Sequence, residues 1–105
     1  MHTIQEVRRG TKLHRVPLLG LARLFFACAD PARIRILLFL RYAREACVSD
    51  IADELDMSVA ATSHHLQILQ QCRCLKTIRM GKMICYRFVA NPFTEFLVTV
   101  IKNRS

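Results

Sequence analysis

The sequence predicts a mostly α-helical single domain that carries one small β-hairpin, and three observations predict it. Apolar residues recur at helical spacing in separate stretches, most clearly Phe93, Phe96, Leu97, Val100 and Ile101. Three of those stretches are preceded by capping chemistry, at Asp30-Pro31, Ser58 and Asn91-Pro92. Only residues 75–89 switch to an alternation of period two, around Gly81-Lys82. At 105 residues the chain is long enough for one core and too short for a second.

Taken in order, residues 1–15 are basic and weakly patterned and read as an N-terminal arm, which leaves 16–105 as the domain. Pro17 can open a first helix with Leu21, Leu24, Phe25 and Cys28 on one face. Asp30 caps a second, in which Ile34, Leu37, Leu38 and Tyr42 keep a helical period. Arg44 to Val48 is a short connection. Ser49 is a suitable cap for a third helix, and Asp50, Asp53 and Glu54 suit its positive dipole end while Ile51 and Leu55 face inward. Ser58 caps a fourth helix at about 59–71. There Val59, Thr62, Leu66 and Leu69 share one stripe, and Ser63, His64, Gln67, Gln70 and Gln71 take much of the other side.

A short helix, a tight turn and a helix with a hydrogen-bonding outer face make a helix-turn-helix. Residues 75–89 add a hairpin wing in which Ile84, Tyr86 and Phe88 point inward and Met83, Cys85 and Arg87 outward. A final apolar helix spans about 92–103. The fold class is a winged helix-turn-helix, mostly α with a small β-hairpin wing.

Sixteen Lys and Arg against eight Asp and Glu give a net charge of +8, which suits a polyanion. The sign is also segregated. Asp50, Asp53, Glu54 and Asp56 sit together, whereas Met57 to Thr94 holds Arg73, Lys76, Arg79, Lys82 and Arg87 and no acid. Five cysteines without a regular framework argue for reduced thiols in a cytosol. The basic N-terminus followed by the apolar run Val16 to Ala29 imitates a signal peptide. Arg23 and the helical spacing inside that run speak for an amphipathic helix instead, and the run is too short to span a bilayer.

The stretches "DPARIRILLFL" (Asp30 to Leu40), "CVSDIADELDMS" (Cys47 to Ser58), "SHHLQIL" (Ser63 to Leu69) and "GKMICYRF" (Gly81 to Phe88) resemble the ArsR/SmtB family of bacterial and archaeal repressors. The resemblance runs from about residue 18 to 100 in order and spacing. It implies a cytoplasmic homodimer that joins through its first and last helices, here Leu21, Leu24, Phe25, Phe93, Phe96, Leu97, Val100 and Ile101. It also implies that double-stranded DNA is held without effector and released when a metal, metalloid, oxidant or sulfur species is sensed. A two-fold dimer suits a palindromic operator, one recognition helix to each half-site.

On that reading Ser63, His64 and Gln67 contact groove and phosphates, with Ser58, Ala60 and Thr62 near the helix start. The alternative is that these are ordinary surface residues. Val59, Ala60 and Ala61 stand where relatives carry polar side chains, so base readout there is confined to methyl contacts. Arg79 and Lys82 at the wing tip, with Lys76 and Arg87, supply phosphate contacts and a steep salt dependence. Adjacent His64 and His65 diverge by about 100° on a helix and are a poor metal pair. His65 reads as a partly packed boundary residue.

The sequence establishes no cofactor. A soft metal or metalloid ion on cysteine thiolates is the one candidate. The Cys-Val-Cys-Asp run of some relatives is here Cys47-Val48-Ser49-Asp50, one thiol short, and the terminal helix offers only Glu95 toward a His/Asp/Glu site. Cys72 and Cys74 could share one soft ion or act as a redox pair, with Arg73 favouring the thiolate; equally, both could be small buried hydrophobes. Cys28 reads as core, and Cys47 could approach Cys85 if the segment before the third helix pairs with the wing. No nucleophile–base–orienter set or phosphate-binding glycine loop is present, so an enzyme is not expected. The competing class is a small basic RNA-associated module, and membranes are not an expected partner.

Overall fold

In the computed structural model, which describes residues 18–103, five helices surround a three-stranded antiparallel sheet. The order is α1 (Leu18–Ala27), α2 (Pro31–Ala43), β1 (Glu45–Cys47), α3 (Val48–Glu54), α4 (Val59–Gln71), β2 (Leu75–Met80), β3 (Met83–Phe88) and α5 (Pro92–Asn103). The basic arm expected at 1–15 lies outside the described residues. The mostly helical winged helix-turn-helix expected from the sequence is the fold observed.

Local chemistry starts the helices where their caps stand. The Asp30 carboxylate accepts from the Ala32 amide at 2.8 Å and from Arg33 at 3.4 Å, ahead of Pro31 in the first turn of α2. Ser58 Oγ accepts from the Ala61 amide at 3.1 Å and opens α4. Asn91 and Thr94 cap α5 reciprocally: each side-chain oxygen accepts the other's amide, at 2.9 and 3.0 Å. Helices α3 and α4 end alike. The amides of Asp56 and Met57 return to Asp53 and Ala52, and those of Arg73 and Cys74 to Gln70 and Leu69. Both ends place a non-glycine residue at positive φ, Asp56 at 53° and Arg73 at 62°. Gly81, at φ 64°, opens the two-residue wing turn closed by the Met80–Met83 pair.

The core is built from Ile36, Leu37 and Leu40 of α2, Ile51 of α3, and Leu66 and Leu69 of α4. Ala27, Cys28, Cys74, Leu75 and Tyr86 close it. Each such Leu or Ile contributes about 1.5–3 kcal/mol by leaving water.

Four expectations are corrected. The buried face of α2 is Arg33, Ile36, Leu37 and Leu40, so Tyr42 stands 87% exposed and Ile34 and Leu38 only half-buried. A charged member of the face hid its true period. Residues 45–47 pair with β3 as a third strand, so α3 begins at Val48 with Cys47, not Ser49, at its cap position. Val59 is 55% exposed, because the first turn of α4 projects beyond the core that Leu66 and Leu69 reach. Cys85 does share a sheet face with Met83 and Arg87, but it is fully buried, flanked by Cys47 on β1 and Ile78 on β2. Burial came from the extra strand.

Candidate nucleic-acid interface

Helix α4 divides cleanly into an anchored side and an offered side. Leu66 and Leu69 go to the core, and Thr62 follows them: it is fully buried, with Oγ1 donating to the Ser58 carbonyl at 2.7 Å. Thr62, expected to touch DNA, is therefore unavailable to it. Ser58, Ala60, His64, Gln67 and Gln70 are exposed and Ser63 is half-buried.

His65 is held from behind. Its Nδ1 accepts from Arg33 Nη1 at 3.1 Å, while Arg33 Nε donates to the Ala27 carbonyl at 2.6 Å and Nη1 lies 3.8 Å from Asp30. The buried guanidinium thus ties the end of α1 to the middle of α4. Charged hydrogen bonds are among the stronger ones, and this one adds to the burial of Thr62, Leu66 and Leu69 in holding α4 with His64 and Gln67 outward. Sequence reasoning missed Arg33; its helical spacing to Ile36, Leu37 and Leu40 was the available signal. Desolvation would raise the Asp30 carboxyl, but the Ala32 and Arg33 amides and the Arg33 charge outweigh it and hold the group below its ordinary range.

The wing supplies cations. Arg79, Lys82 and Lys76 are exposed on β2 and the turn. Arg87 is already engaged, with Nη2 2.9 Å from Glu45 Oε2 in an exposed ion pair. The acids of α3, Asp50, Asp53 and Glu54, are exposed on the element before the reading helix rather than on it.

The thiols fall into two groups. Cys47 and Cys85, paired across β1 and β3, are joined as a disulfide, where the sequence suggested reduced thiols. The extra strand sets the two side chains directly opposite. Cys28, Cys72 and Cys74 are free; Cys28 and Cys74 are buried in the core and Cys72 packs against it. The Cys74 thiol points at the Cys72 carbonyl, 3.9 Å away. The neighbouring Cys74 side chain lowers the Cys28 pKa against the opposing effect of burial, with help from Arg33. The neighbouring Cys28 side chain and burial push Cys74 far up. Burial, then the neighbouring Cys28, raises Cys72, with Arg23 and Arg33 opposing. Arg73, expected to favour the thiolate, does not act on it. Cys72 Sγ donates to the Arg23 carbonyl of α1 at 3.6 Å. It lines an open cavity of about 520 Å³ with Gly20, Leu21, Arg23, Leu24, Gln71 and Arg73. Among the described residues no three His, Cys, Asp or Glu side chains form a ready-made metal site, and Glu95 faces Arg41 at 3.3 Å.

Helices α1 and α5 meet through the Phe25 and Phe93 rings, edge to face at 5.3 Å. Of the residues expected at a dimer interface, Phe25, Phe96 and Val100 are exposed, and Leu21, Leu24, Phe93, Leu97 and Ile101 are half-buried. Leu18, Leu19 and Phe26 extend the exposed apolar surface, and the spacing rule that selected one face of α1 had left them out.

Comparison with known proteins gives this arrangement relatives. The model described as "Bacterial regulatory protein, arsR family" matches residues 30–77. A cadmium resistance transcriptional regulatory protein CadC of Listeria innocua is 33% identical over 91 residues, 87% of this chain and 76% of that protein. A transcriptional repressor SmtB homolog of Synechocystis is 38% identical over 71 residues, 68% of this chain; the chain spans about half of that relative's length, 53%. Among solved structures, the homodimeric winged helix-turn-helix DNA-binding domain Mb0332 of Mycobacterium bovis superposes with a TM-score of 0.75 at 26% identity, over 89% of this chain and 87% of that one.

Proposed function

This chain belongs to the ArsR family of bacterial regulatory proteins, and from that premise we propose that it is a homodimeric, DNA-binding transcriptional repressor of the cytoplasm, released from its operator by a thiol-reactive signal. The observation that carries the DNA half is the one-signed surface. His64, Gln67 and half-buried Ser63 on α4 stand beside exposed Lys76, Arg79 and Lys82, in a span from Met57 to Thr94 without an acidic residue. A helix in the major groove with a cationic hairpin on the flanking backbone is the docking such a surface supports. The wing cations provide position and affinity; Gln67, with an amide that can pair with an adenine edge, provides reading.

The dimer half rests on the exposed apolar residues of α1 and α5, and the Mycobacterium bovis neighbour is described as homodimeric. A two-fold pair would read a palindromic operator. The signal half rests on the free thiols Cys28, Cys72 and Cys74 and on the Cys47–Cys85 pair. The CadC relative carries cadmium resistance in its name.

Fluorescence anisotropy on the chain's own upstream promoter fragment tests the reading, with a structured RNA of equal length beside it. We expect tight, salt-dependent binding to the duplex and weak binding to the RNA. Arg79→Ala is expected to weaken all duplexes alike and to lower the salt slope by about one, whereas Gln67→Ala changes sequence preference. Preference for the RNA, or equal effects of the two substitutions on every duplex, would overturn it.

A further inference from the structure

We propose that the cavity between α1 and the end of α4 is a binding site for a small amphipathic organic anion, an apolar body that carries one carboxylate. The site goes beyond the repressor reading and stands without it. Two elements far apart in sequence build it. Gly20, Leu21 and Leu24 form one wall at helical spacing on α1. Gln71, Cys72 and Arg73 form the other, where the chain turns out of α4. Left-handed Arg73, with φ 62°, makes that turn, and Cys72 Sγ joins the two walls by reaching the Arg23 carbonyl at 3.6 Å.

The lining selects the ligand class. A volume of about 520 Å³ falls among pockets that hold small organic molecules. Half-buried Leu21 and Leu24 offer apolar surface to such a molecule. Arg23 and Arg73 are exposed and line the same cavity, and no acidic residue does. Among the described residues the ion pairs are Arg33 with Asp30, Arg41 with Glu95 and Arg87 with Glu45, so neither of these two guanidiniums is ion-paired. Each has a fork of donors to give a carboxylate. Inorganic phosphate would leave the leucines wet, and an organic cation would meet two like charges.

The carbonyl end of a helix by itself disfavours an anion. Here the Ile68, Leu69 and Gln70 carbonyls already accept from the amides of Cys72, Cys74 and Arg73, which leaves the guanidiniums as the unsatisfied charge. DNA docking does not claim them either. Helix α4 has 13 residues and is about 20 Å long, so Arg73 stands at the far end from the first turns that enter a groove. The dimer surface is also separate: Leu18, Leu19, Phe25 and Phe26 are the uncovered apolar residues of α1, on the side away from Gly20 and Leu24. A ligand in the cavity touches both the helix that carries this surface and the reading helix, so occupancy is expected to change promoter affinity.

The test uses the full chain. Naphthoate is titrated and its fluorescence followed, with naphthamide as the uncharged counterpart. We expect one naphthoate per chain, held at least about five-fold more tightly than naphthamide. Arg23→Gln/Arg73→Gln should remove that preference and leave naphthamide binding unchanged, a coupling that loss of fold would not produce. Gly20→Leu puts a side chain at the wall and favours the helix, so it should abolish binding of both in a chain that unfolds at no lower temperature. Octanoate should displace naphthoate, and phosphate and octyltrimethylammonium should not. Phe96→Glu should keep the site, since both walls belong to one chain. Equal affinity for naphthoate and naphthamide, undiminished binding in folded Gly20→Leu, displacement by phosphate or by the cation, or loss of the site in Phe96→Glu would each overturn it. Promoter binding is read separately. Failure of the ligand-free chain to bind its promoter sinks the repressor reading and leaves the pocket standing. Unchanged promoter affinity at full naphthoate occupancy sinks the regulatory role.

Discussion

Arg73 holds the left-handed conformation, with φ 62°, at the position past α4 where glycine commonly ends a helix. Its amide and that of Cys74 close the helix by returning to Gln70 and Leu69, both at 2.9 Å, so the backbone path is fixed whatever the side chain. A non-glycine residue there is strained by about 1–2 kcal/mol, and glycine would give back part of the relief through its freer unfolded chain. Arg73→Gly is therefore expected to raise stability by about 0.5–1 kcal/mol in urea denaturation. A drop would show that the arginine makes a compensating contact. The sequence could not reveal this strain, because Cys-Arg-Cys carries no glycine signal for a turn. At the same scale it misplaced Val59, and it set Thr62 both on the inward stripe, where the structure buries it, and against DNA, where it is not. A regular stripe gives no sign of which turn of the helix reaches the core, and only packing against α2 and α3 decides it.

Elements long enough to show a period were legible: α4, β2 and α5 occupy the ranges their caps and alternation predict. Strand β1 was not. Three residues show no alternation, and Glu45 to Cys47 becomes a strand only because β3 offers an edge to pair with. That missed strand carries a consequence for stability. It sets Cys47 opposite Cys85, and the bond between them closes a loop with a sequence separation of 38 that contains α3, α4 and the first wing strand. A cross-link of that span restricts the unfolded chain by about 3–4 kcal/mol. Guanidinium denaturation with and without a phosphine is expected to show a loss of that order on reduction. Cys47→Ser should show most of the loss already and none on further reduction. An unchanged midpoint on reducing wild type would mean that the bond adds nothing to stability.

At the scale of the molecule, the candidate interface was legible because sign and polarity are properties of the sequence itself, whereas the burial of Cys28 and Cys74 in one core was not, because it brings together residues far apart in the chain. The same contrast bears on assembly. The sequence marks α1 and α5 as apolar, but only the structure shows which residues stay uncovered: Leu18, Leu19, Phe25, Phe26, Phe96 and Val100, with Phe96 at 61% exposure and Phe26 at 72%. Phe25 already meets Phe93 within the chain, so α1 and α5 form one continuous surface rather than two separate patches. A closed two-fold pairing of that surface would place two copies of α4 on one side of the dimer, spaced for half-sites about one helical turn apart, roughly 34–36 Å. Phe96→Glu puts a charge at that surface while leaving the core residues Thr94 and Val98 of α5 undisturbed. Sedimentation at micromolar concentration is expected to show a folded monomer. Binding to the full operator should fall by about 100-fold or more, since the second half-site no longer benefits from linkage, while binding to an isolated half-site stays near wild type. If the variant remains dimeric, the pairing lies elsewhere. If a true monomer keeps full operator affinity, two-fold reading is not how this surface recognises DNA.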